Sequence, residues 1–370
     1  MGIFDNIADK LKDVTGIDKA CKCPYCLHEF MRSEAEEGEI RGYKFKICPN
    51  KDRDSNGRAV CGKRLPLRFF DSDSVVISLI GGAATGKTYY FMALKRILED
   101  SEVNALGISG RLFFPPGDSA SEQYYEKLQE QLNTGEPLDA TSKDQGIEQA
   151  ALVLEVNIDR NGKRKTVYFT FYDNPGEGFN DEDYIIRNMN VHRSDAVIFL
   201  LAPEQIRQLL PYLNGEGTGQ TTKLNNVIGN MVNILGGDGD EDGMINWVIE
   251  KFHKSKIDIP VAFCFSKYDL IDGIFNIIIP HDLDETEFGQ IIDLYNKSAN
   301  YDEIDYISNS IREQIYNLRI YHLINNIPSS FSNYHYFGIQ SIEDTGNGFR
   351  LKPRGASLPI IWILKQLDLL

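Results

Sequence analysis

Beyond residue 61 the chain holds a single cysteine, Cys264, and nowhere does an apolar run approach the ~20 residues of a membrane span. The first absence excludes a disulfide framework for most of the chain. The second excludes an obvious membrane-crossing helix. Positive charge is also scarce: 39 Lys and Arg against 54 Asp and Glu leave a net charge of -15, which argues against general nucleic-acid binding by the whole chain. The opening residues do not read as a secretory signal, so a cytoplasmic protein is expected. What remains is ordinary. A chain of 370 residues with 42% hydrophobic and 25% charged residues can bury a large core. The charge is uneven, however. Residues 1–70 carry 14 Lys and Arg against 11 Asp and Glu, whereas the rest carries 25 against 43. That asymmetry marks the N-terminal part as a separate unit.

The stretch Gly81-Gly82-Ala83-Ala84-Thr85-Gly86-Lys87-Thr88 reads G-x-x-x-x-G-K-T. It follows the apolar run Val75–Ile80 and precedes a helical pattern bearing Tyr90, Leu94, Ile97 and Leu98 on one face. A strand–loop–helix of this kind is a phosphate-binding loop. Its glycines let successive backbone N–H groups face a phosphate, and the helix N-terminus adds partial positive charge. Lys87 would reach the β- and γ-phosphates and Thr88 would ligate Mg²⁺, with Tyr89 next to them on the helix.

Residues 1–20 carry Ile3, Phe4, Ile7, Leu11 and Val14 on one helical face. The polar face mixes Asp5, Asp9 and Asp13 with Lys10 and Lys12, and Asn6 stands where a myristoylation signal wants Ser or Thr. A helix docked on its own protein or a partner is therefore favoured over one lying on a membrane. Residues 21–70 hold Cys21, Cys23, Cys26, Cys48 and Cys61. Cys23-Pro24-Tyr25-Cys26 is a knuckle, and Cys48 and Cys61 supply a second half across an inserted loop, Asn50 to Val60. Four thiolates suit tetrahedral Zn²⁺, with Cys21 and His28 as substitutes. A redox role is disfavoured because no βαβ pattern surrounds the C-x-x-C. Lys44, Lys46, Lys51, Arg53, Arg58, Lys63, Arg64 and Arg68, beside Tyr43 and Phe45, form a basic set for which a solvated surface is favoured over a nucleic-acid patch.

Residues 101–150 lack strong periodicity apart from a polar helix near Ser121–Leu132. Two β runs follow, Leu152–Ile158 and Thr166–Tyr172, joined through an Asn161-Gly162 turn signal. The second ends in Asp173-Asn174-Pro175-Gly176, a D-x-x-G whose Asp can hold Mg²⁺ through water and whose Gly N–H can sense a γ-phosphate. Glu177 stands next, where it would either orient water or repel the phosphate. Asp195–Pro203 reads as a fully apolar strand ending in a polar turn. Residues 214–243 flank a short helical pattern (Val227–Leu235) and read as a surface insertion. Ile259–Phe265 is another buried strand, running into Ser266-Lys267-Tyr268-Asp269. One carboxylate, Asp269, can accept from both N1–H and N2–H₂ of guanine, a donor pair that adenine lacks. The stem of Lys267 can lie along the base. Residues 271–330 add helical patterns around Glu287–Lys297 and Ile304–Asn325. A last strand, Tyr334–Ile339, is followed by Gln340-Ser341-Ile342, and Trp362 belongs to a helix packed on the sheet.

Strands alternating with helices, with motifs on loops after strands, predict an α/β fold: one doubly wound, mostly parallel sheet with helical insertions, beside the small zinc-ribbon-like module. The P-loop domain is read over 71–370, with insertions near 101–150, 214–243 and 271–330. With Gly81–Thr88, Asp173–Gly176 and Ser266–Asp269 in order, and a weaker match at Gln340–Ser341, the chain resembles the Ras-like P-loop GTPases. The N-terminal cysteine module, Phe265-Ser266-Lys267-Tyr268-Asp269-Leu270 and the C-terminal Leu358-Pro359-Ile360-Ile361-Trp362-Ile363-Leu364 make it similar to the bacterial double-GTPase group of conflict and signalling systems. Ser266 departs from the family's Asn, and Ile342 from its Ala. The resemblance implies a GTP/GDP-controlled switch with Mg²⁺ that recruits or restrains partner proteins. Thr141, then Thr134, are the candidates for a switch-I ligand to Mg²⁺. No arginine stands between Arg111 and Arg160, so slow intrinsic hydrolysis is expected, stimulated by a partner's arginine or by self-association. Two alternatives remain: a GTP-binding adaptor that barely hydrolyses, and a nucleotide-regulated zinc-ribbon nucleic-acid binder.

Overall fold

The computed structural model describes residues 20–40, 42–53, 61–82, 84–99, 108–114, 119–138, 151–160, 163–173, 193–213, 257–277, 302–346 and 348–369. The patterns read at 227–235 and 287–297 lie outside the described residues. So does the N-terminal helix, except that Ala20 begins the first strand.

Three apolar runs make the centre of the molecule. They are β6 (Asp73–Gly81), β10 (Ala196–Leu201) and β11 (Val261–Phe265). Every residue of β10 and β11, and β6 from Val75 onward, is buried, as strands covered on both faces must be. They pair in parallel, with Leu200 opposite Gly81 and Leu201 opposite Phe265. The hairpin β8 (Ala151–Arg160) and β9 (Lys163–Asp173) adds on the far side of β6, β9 parallel to it with Asp173 opposite Leu79. An edge strand β7 (Ile108–Phe113) and, at the other edge, β12 (Tyr334–Gly338) complete a sheet of seven strands in the order β12-β11-β10-β6-β9-β8-β7. The chain therefore builds one half of the sheet after β6 and then crosses to build the other. Ligands of such sheets bind outside the carboxyl ends of the strands at the crossing point.

The two-residue period of β9 decides what covers each face. Phe169 and Phe171 face helix α1 (Lys87–Glu99), where Phe91 meets Phe171 edge-on at 5.6 Å. Tyr168 and Tyr172 face the N-terminal module. That module consists of β1 (Ala20–Lys22) with β2 (Glu29–Met31), and of β3 (Glu36–Ile40), β4 (Tyr43–Ile47) and β5 (Arg64–Pro66). Its core has no boundary with the sheet: Cys23, Phe30, Leu65, Phe69 and Phe70 pack together with Val153 and Tyr168. Tyr172 Oη donates to the Pro24 carbonyl at 2.8 Å, and Arg193 Nη1 to the Leu27 carbonyl at 2.6 Å.

Three stretches differ from the sequence reading. The stretch 101–150, read as an insertion, contributes β7 to the main sheet as well as the expected helix, α2 (Ser119–Thr134). Gly110 and Arg111 interrupt the apolar alternation there, and an edge strand tolerates both. The pattern Ile304–Asn325 is two helices, α4 (Asp302–Asn317) and α5 (Tyr321–Ser330), following the one-turn helix α3 (Asp272–Phe275). Arg319 takes a left-handed φ of 55° and ends the first of the pair, so periodicity alone ran across a C-cap. Finally, Gln340 and Ser341 lie in β13 (Gln340–Asp344), paired with β14 (Phe349–Arg354), and the register shifts at Ser341. Trp362 is buried in helix α6 (Leu358–Gln366), 4.8 Å from the His335 ring, as expected of a core residue.

Candidate functional site

At the end of β6 the chain approaches β10 so closely that a side chain at residue 81 has no room. A Cβ there would stand 2.8 Å from the Leu200 carbonyl oxygen and 2.7 Å from Thr85 Oγ1. Glycine is required, and the loop that follows turns at once. Thr85 is buried and donates to the Gly82 carbonyl at 3.0 Å. Ala84 (φ 58°) and Gly86 (φ 84°) take the left-handed conformation that makes consecutive N–H groups point inward. Lys87 opens α1. It is only 7% exposed, and its Nζ donates to the carbonyls of Gly81 and Gly82 at 3.1 Å each. The ammonium is thus held inside the loop, where an incoming phosphate would meet it. Thr88 stands on the same first turn. Tyr89 does not join the loop. Its Oη accepts from the Leu138 N–H at 2.9 Å, tying α1 to the segment that follows α2.

The second loop rises from β11, two strands away. Ser266 is buried, and its N–H and hydroxyl both reach the Leu201 carbonyl, at 3.0 and 3.4 Å. Lys267 adopts φ 53° and ψ 43°, which turns the chain sharply, and Tyr268 N–H bonds to the Ile339 carbonyl at 3.0 Å. Asp269 is left exposed at the tip. Desolvation by its surroundings pushes its carboxyl above the ordinary carboxylate value, and Asp272 and Glu204 push the same way while Lys267 opposes them. Lys267 Nζ is engaged by Glu204 Oε1 at 2.5 Å. Gln340 approaches this end of the sheet as a buried residue whose Nε2 bonds to the Ile342 carbonyl at 3.1 Å. With Ser341 it belongs to the β13–β14 hairpin rather than to a free loop.

A family model described as Double-GTPase 2 matches residues 75–261. That span is half of the chain and runs from the P-loop strand to the first residue of β11. The chain belongs to the Double-GTPase 2 family. No curated protein matches it. Family membership implies a guanine-nucleotide-binding, switch-like protein with Mg²⁺. The match ends before Ser266, so the Ser266–Asp269 loop of this Double-GTPase 2 member is read from its own geometry.

Of the two residues expected at Mg²⁺, Asp173 is the last residue of β9, paired with Leu79 of β6, and Thr88 is the second residue of α1, the helix that follows β6. Ala83, Thr141, Gly176 and Glu177 lie outside the described residues. Thr134, the second switch-I candidate, closes α2. Its hydroxyl donates to the carbonyls of Glu130 and Gln131 in its own last turn.

The cysteine module resolves into one cluster. Sulfurs bound tetrahedrally at about 2.3 Å from zinc stand roughly 3.8 Å apart. Here Cys23 and Cys61 are 3.7 Å apart, as are Cys26 and Cys48, and all four sulfurs lie within 4.8 Å of one another. The donor set and spacing fit Zn²⁺. Burial pushes the Cys23 thiol well up, while the hydrogen bond from Cys23 holds Cys26 well down. Asn50 Nδ2 approaches Cys26 Sγ at 3.6 Å from outside the cluster. Cys21 and His28 are not among the four; Cys21 pairs with Phe30 across β1–β2, and the His28 ring stacks on Phe30. No helix among the described residues is long and apolar enough to cross a membrane. A cavity of about 430 Å³ lies between α4, α5 and β12, and no motif residue lines it.

Two residues escaped the sequence reading. Glu204 and Gln205 sit in the one-turn helix Pro203–Gln205 after β10, where the chain had shown only a polar turn. Nothing in their spacing marks them, because what matters is that β10 lies between the two motif-bearing strands.

Proposed function

We propose that this protein binds GTP and hydrolyses it slowly, as a switch that controls partner proteins. The observation that carries the reading is the in-register parallel run β6–β10–β11, which puts the Gly81–Thr88 loop and the Ser266–Asp269 loop on one edge of one sheet. Phosphates at the first loop and a base at the second fit a nucleotide lying across the end of β10.

Lys87 would neutralise charge developing on the γ-phosphate, and the loop N–H groups would hold the phosphate oxygens. Asp269 would accept from the guanine N1–H and N2–H₂, with the Lys267 stem along the base. Thr88 and Asp173 would hold Mg²⁺, which would supply positive charge to offset that of the phosphates. The missing arginine between Arg111 and Arg160 supports slow turnover. The same missing arginine is the reason to expect stimulation by a partner's arginine or by self-association, and a place in a bacterial conflict or signalling system is suggested by the family resemblance alone.

The nucleic-acid reading of the N-terminal module is weaker, since much of its basic set is engaged internally. Lys46 Nζ is buried on the Ala35 carbonyl, Arg64 lies over the Phe45 ring at 5.3 Å, Lys63 over Tyr25 at 5.9 Å, and Arg68 pairs with Glu155 at 2.5 Å. The test is nucleotide competition, GTP against ATP, with single-turnover hydrolysis on the same sample. Fast turnover independent of protein concentration would sink the slow-switch reading, and equal affinity for ATP would sink the guanine assignment.

A further inference from the structure

The turn after β10 is placed between the two loops of the site. The Leu201 carbonyl, at the end of β10, already receives Ser266. Gln205 N–H then bonds back to the Ala202 carbonyl at 2.9 Å, which closes a tight turn and aims residues 204 and 205 in different directions.

Gln205 goes to the P-loop. It is 5% exposed, and its carboxamide lies so near Gly82 that a Cβ there would stand 2.8 Å from Oε1 and 3.0 Å from Nε2. A buried polar side chain is thus pressed onto the backbone of the phosphate loop. Glu204 goes the other way, to Lys267, at 2.5 Å. Its Oε2 is buried with no hydrogen-bond partner among the described residues. A carboxylate oxygen left in this state offsets part of what the ion pair through the other oxygen contributes. What Glu204 does is fix an otherwise flexible lysine at the base loop, without which that lysine would have several rotamers. In a loop where Ser266 stands in the place of an amide side chain, the bracing comes from the neighbouring strand instead.

We propose that Glu204 and Gln205 are positioning residues for the nucleotide: Glu204 orients Lys267 against the base, and Gln205 holds the P-loop backbone at Gly82 for the phosphates. The inference rests on the guanine-nucleotide reading above, and the two roles separate by what each variant changes. Removing Glu204 affects recognition of the base alone. Removing Gln205 affects every nucleoside triphosphate equally.

The test is competition of GTP and ATP against a fluorescent GDP on the full-length wild type and on Glu204→Ala, Glu204→Gln, Lys267→Ala, Gln205→Ala and the Glu204→Ala/Lys267→Ala double variant, with melting temperature as a fold check. Glu204→Ala is expected to lower the GTP-to-ATP affinity ratio about tenfold, and Glu204→Gln by less, because an amide oxygen still accepts from Lys267. The double variant should bind no worse than Lys267→Ala, the non-additivity of residues acting through one another. Gln205→Ala should weaken GTP and ATP together, with the ratio kept and single-turnover hydrolysis slowed. A wild type without preference for GTP overturns the guanine reading. A wild type that prefers GTP, with the ratio unchanged in a folded Glu204→Gln or Glu204→Ala variant, overturns the Glu204 role alone. Unchanged triphosphate affinity and turnover in Gln205→Ala overturn the other.

Discussion

Tyr268 packs against the α-carbon of Gly338. A Cβ at 338 would fall 2.4 Å from Tyr268 Cδ2 and 2.6 Å from Cε2, closer than any real contact. Tyr268 lies between Lys267 and Asp269, so the last strand of the sheet sets the height of the base loop. The loop in turn depends on the absence of a side chain one residue before Ile339. Gly338→Ala is expected to displace Tyr268 at a cost of about 1–3 kcal/mol, typical of overpacking, and to weaken GTP binding at least tenfold. Gly273→Ala is the control, because no atom lies within 4 Å of its added Cβ. Equal GTP affinity in the two variants would show that Tyr268 does not govern the loop.

Lys87→Ala should abolish measurable GTP hydrolysis and weaken GTP binding by about 10²-fold or more, the scale of removing one charge-stabilising donor from a preorganised site. The same change frees the Gly81 and Gly82 carbonyls from their buried donor. Fluorescent-nucleotide titration reports the loss, and circular dichroism establishes that the fold persists.

Asp269 gives a signed pH dependence. Its carboxyl titrates above the ordinary carboxylate value, chiefly through desolvation. Guanine needs the ionised form, so GTP affinity is full at neutral pH and falls as pH drops through that raised value. For the nucleotide-free protein the sign is opposite. A carboxyl whose folded pKa is raised holds its proton more tightly when folded, so ionisation at neutral pH disfavours the fold. Asp269→Asn is therefore expected to melt no lower than wild type while losing GTP affinity and gaining affinity for a xanthine nucleotide. A melting temperature several degrees lower would contradict this account.

If the four-cysteine cluster holds zinc, it should be a structural part of the whole chain. Cys48→Ser, or chelation under mild denaturation, is expected to release about one zinc per chain and to lower the melting temperature by several degrees. The coupling follows from the shared core and from Tyr172, whose hydroxyl binds the Pro24 carbonyl inside the Cys23–Cys26 knuckle. Tyr172→Phe should cost about 1 kcal/mol, the net worth of one hydrogen bond, without releasing zinc. Zinc content and calorimetry on the two variants distinguish loss of metal from loss of docking.

Much of this architecture was legible in the chain. Val75–Ile80, Asp195–Pro203 and Ile259–Phe265 read as buried strands, because each is short and largely apolar without alternation and runs into a loop signal. The runs Leu152–Ile158 and Thr166–Tyr172 with the Asn161-Gly162 signal pointed to the hairpin β8–β9, and the cysteine spacing picked out the four sulfurs that cluster. Local pattern failed where tertiary contact overrode it. The edge strand Ile108–Phe113 carries Gly110 and Arg111, the α4–α5 break depends on one left-handed residue, and the β13–β14 hairpin took residues that had read as a loop.

Residue types at short range were enough to nominate the candidate groups: a glycine-rich loop with Lys87, a carboxylate at Asp269, and four clustered thiols. What holds these groups in place emerged from the folded chain alone. Strand order set Glu204 against Lys267 and Gln205 against Gly82, and sheet pleat turned Tyr172 toward the zinc knuckle and Phe171 toward α1. Such partners are distant in the chain, and no short-range pattern encodes a contact that exists only once β10 lies between β6 and β11.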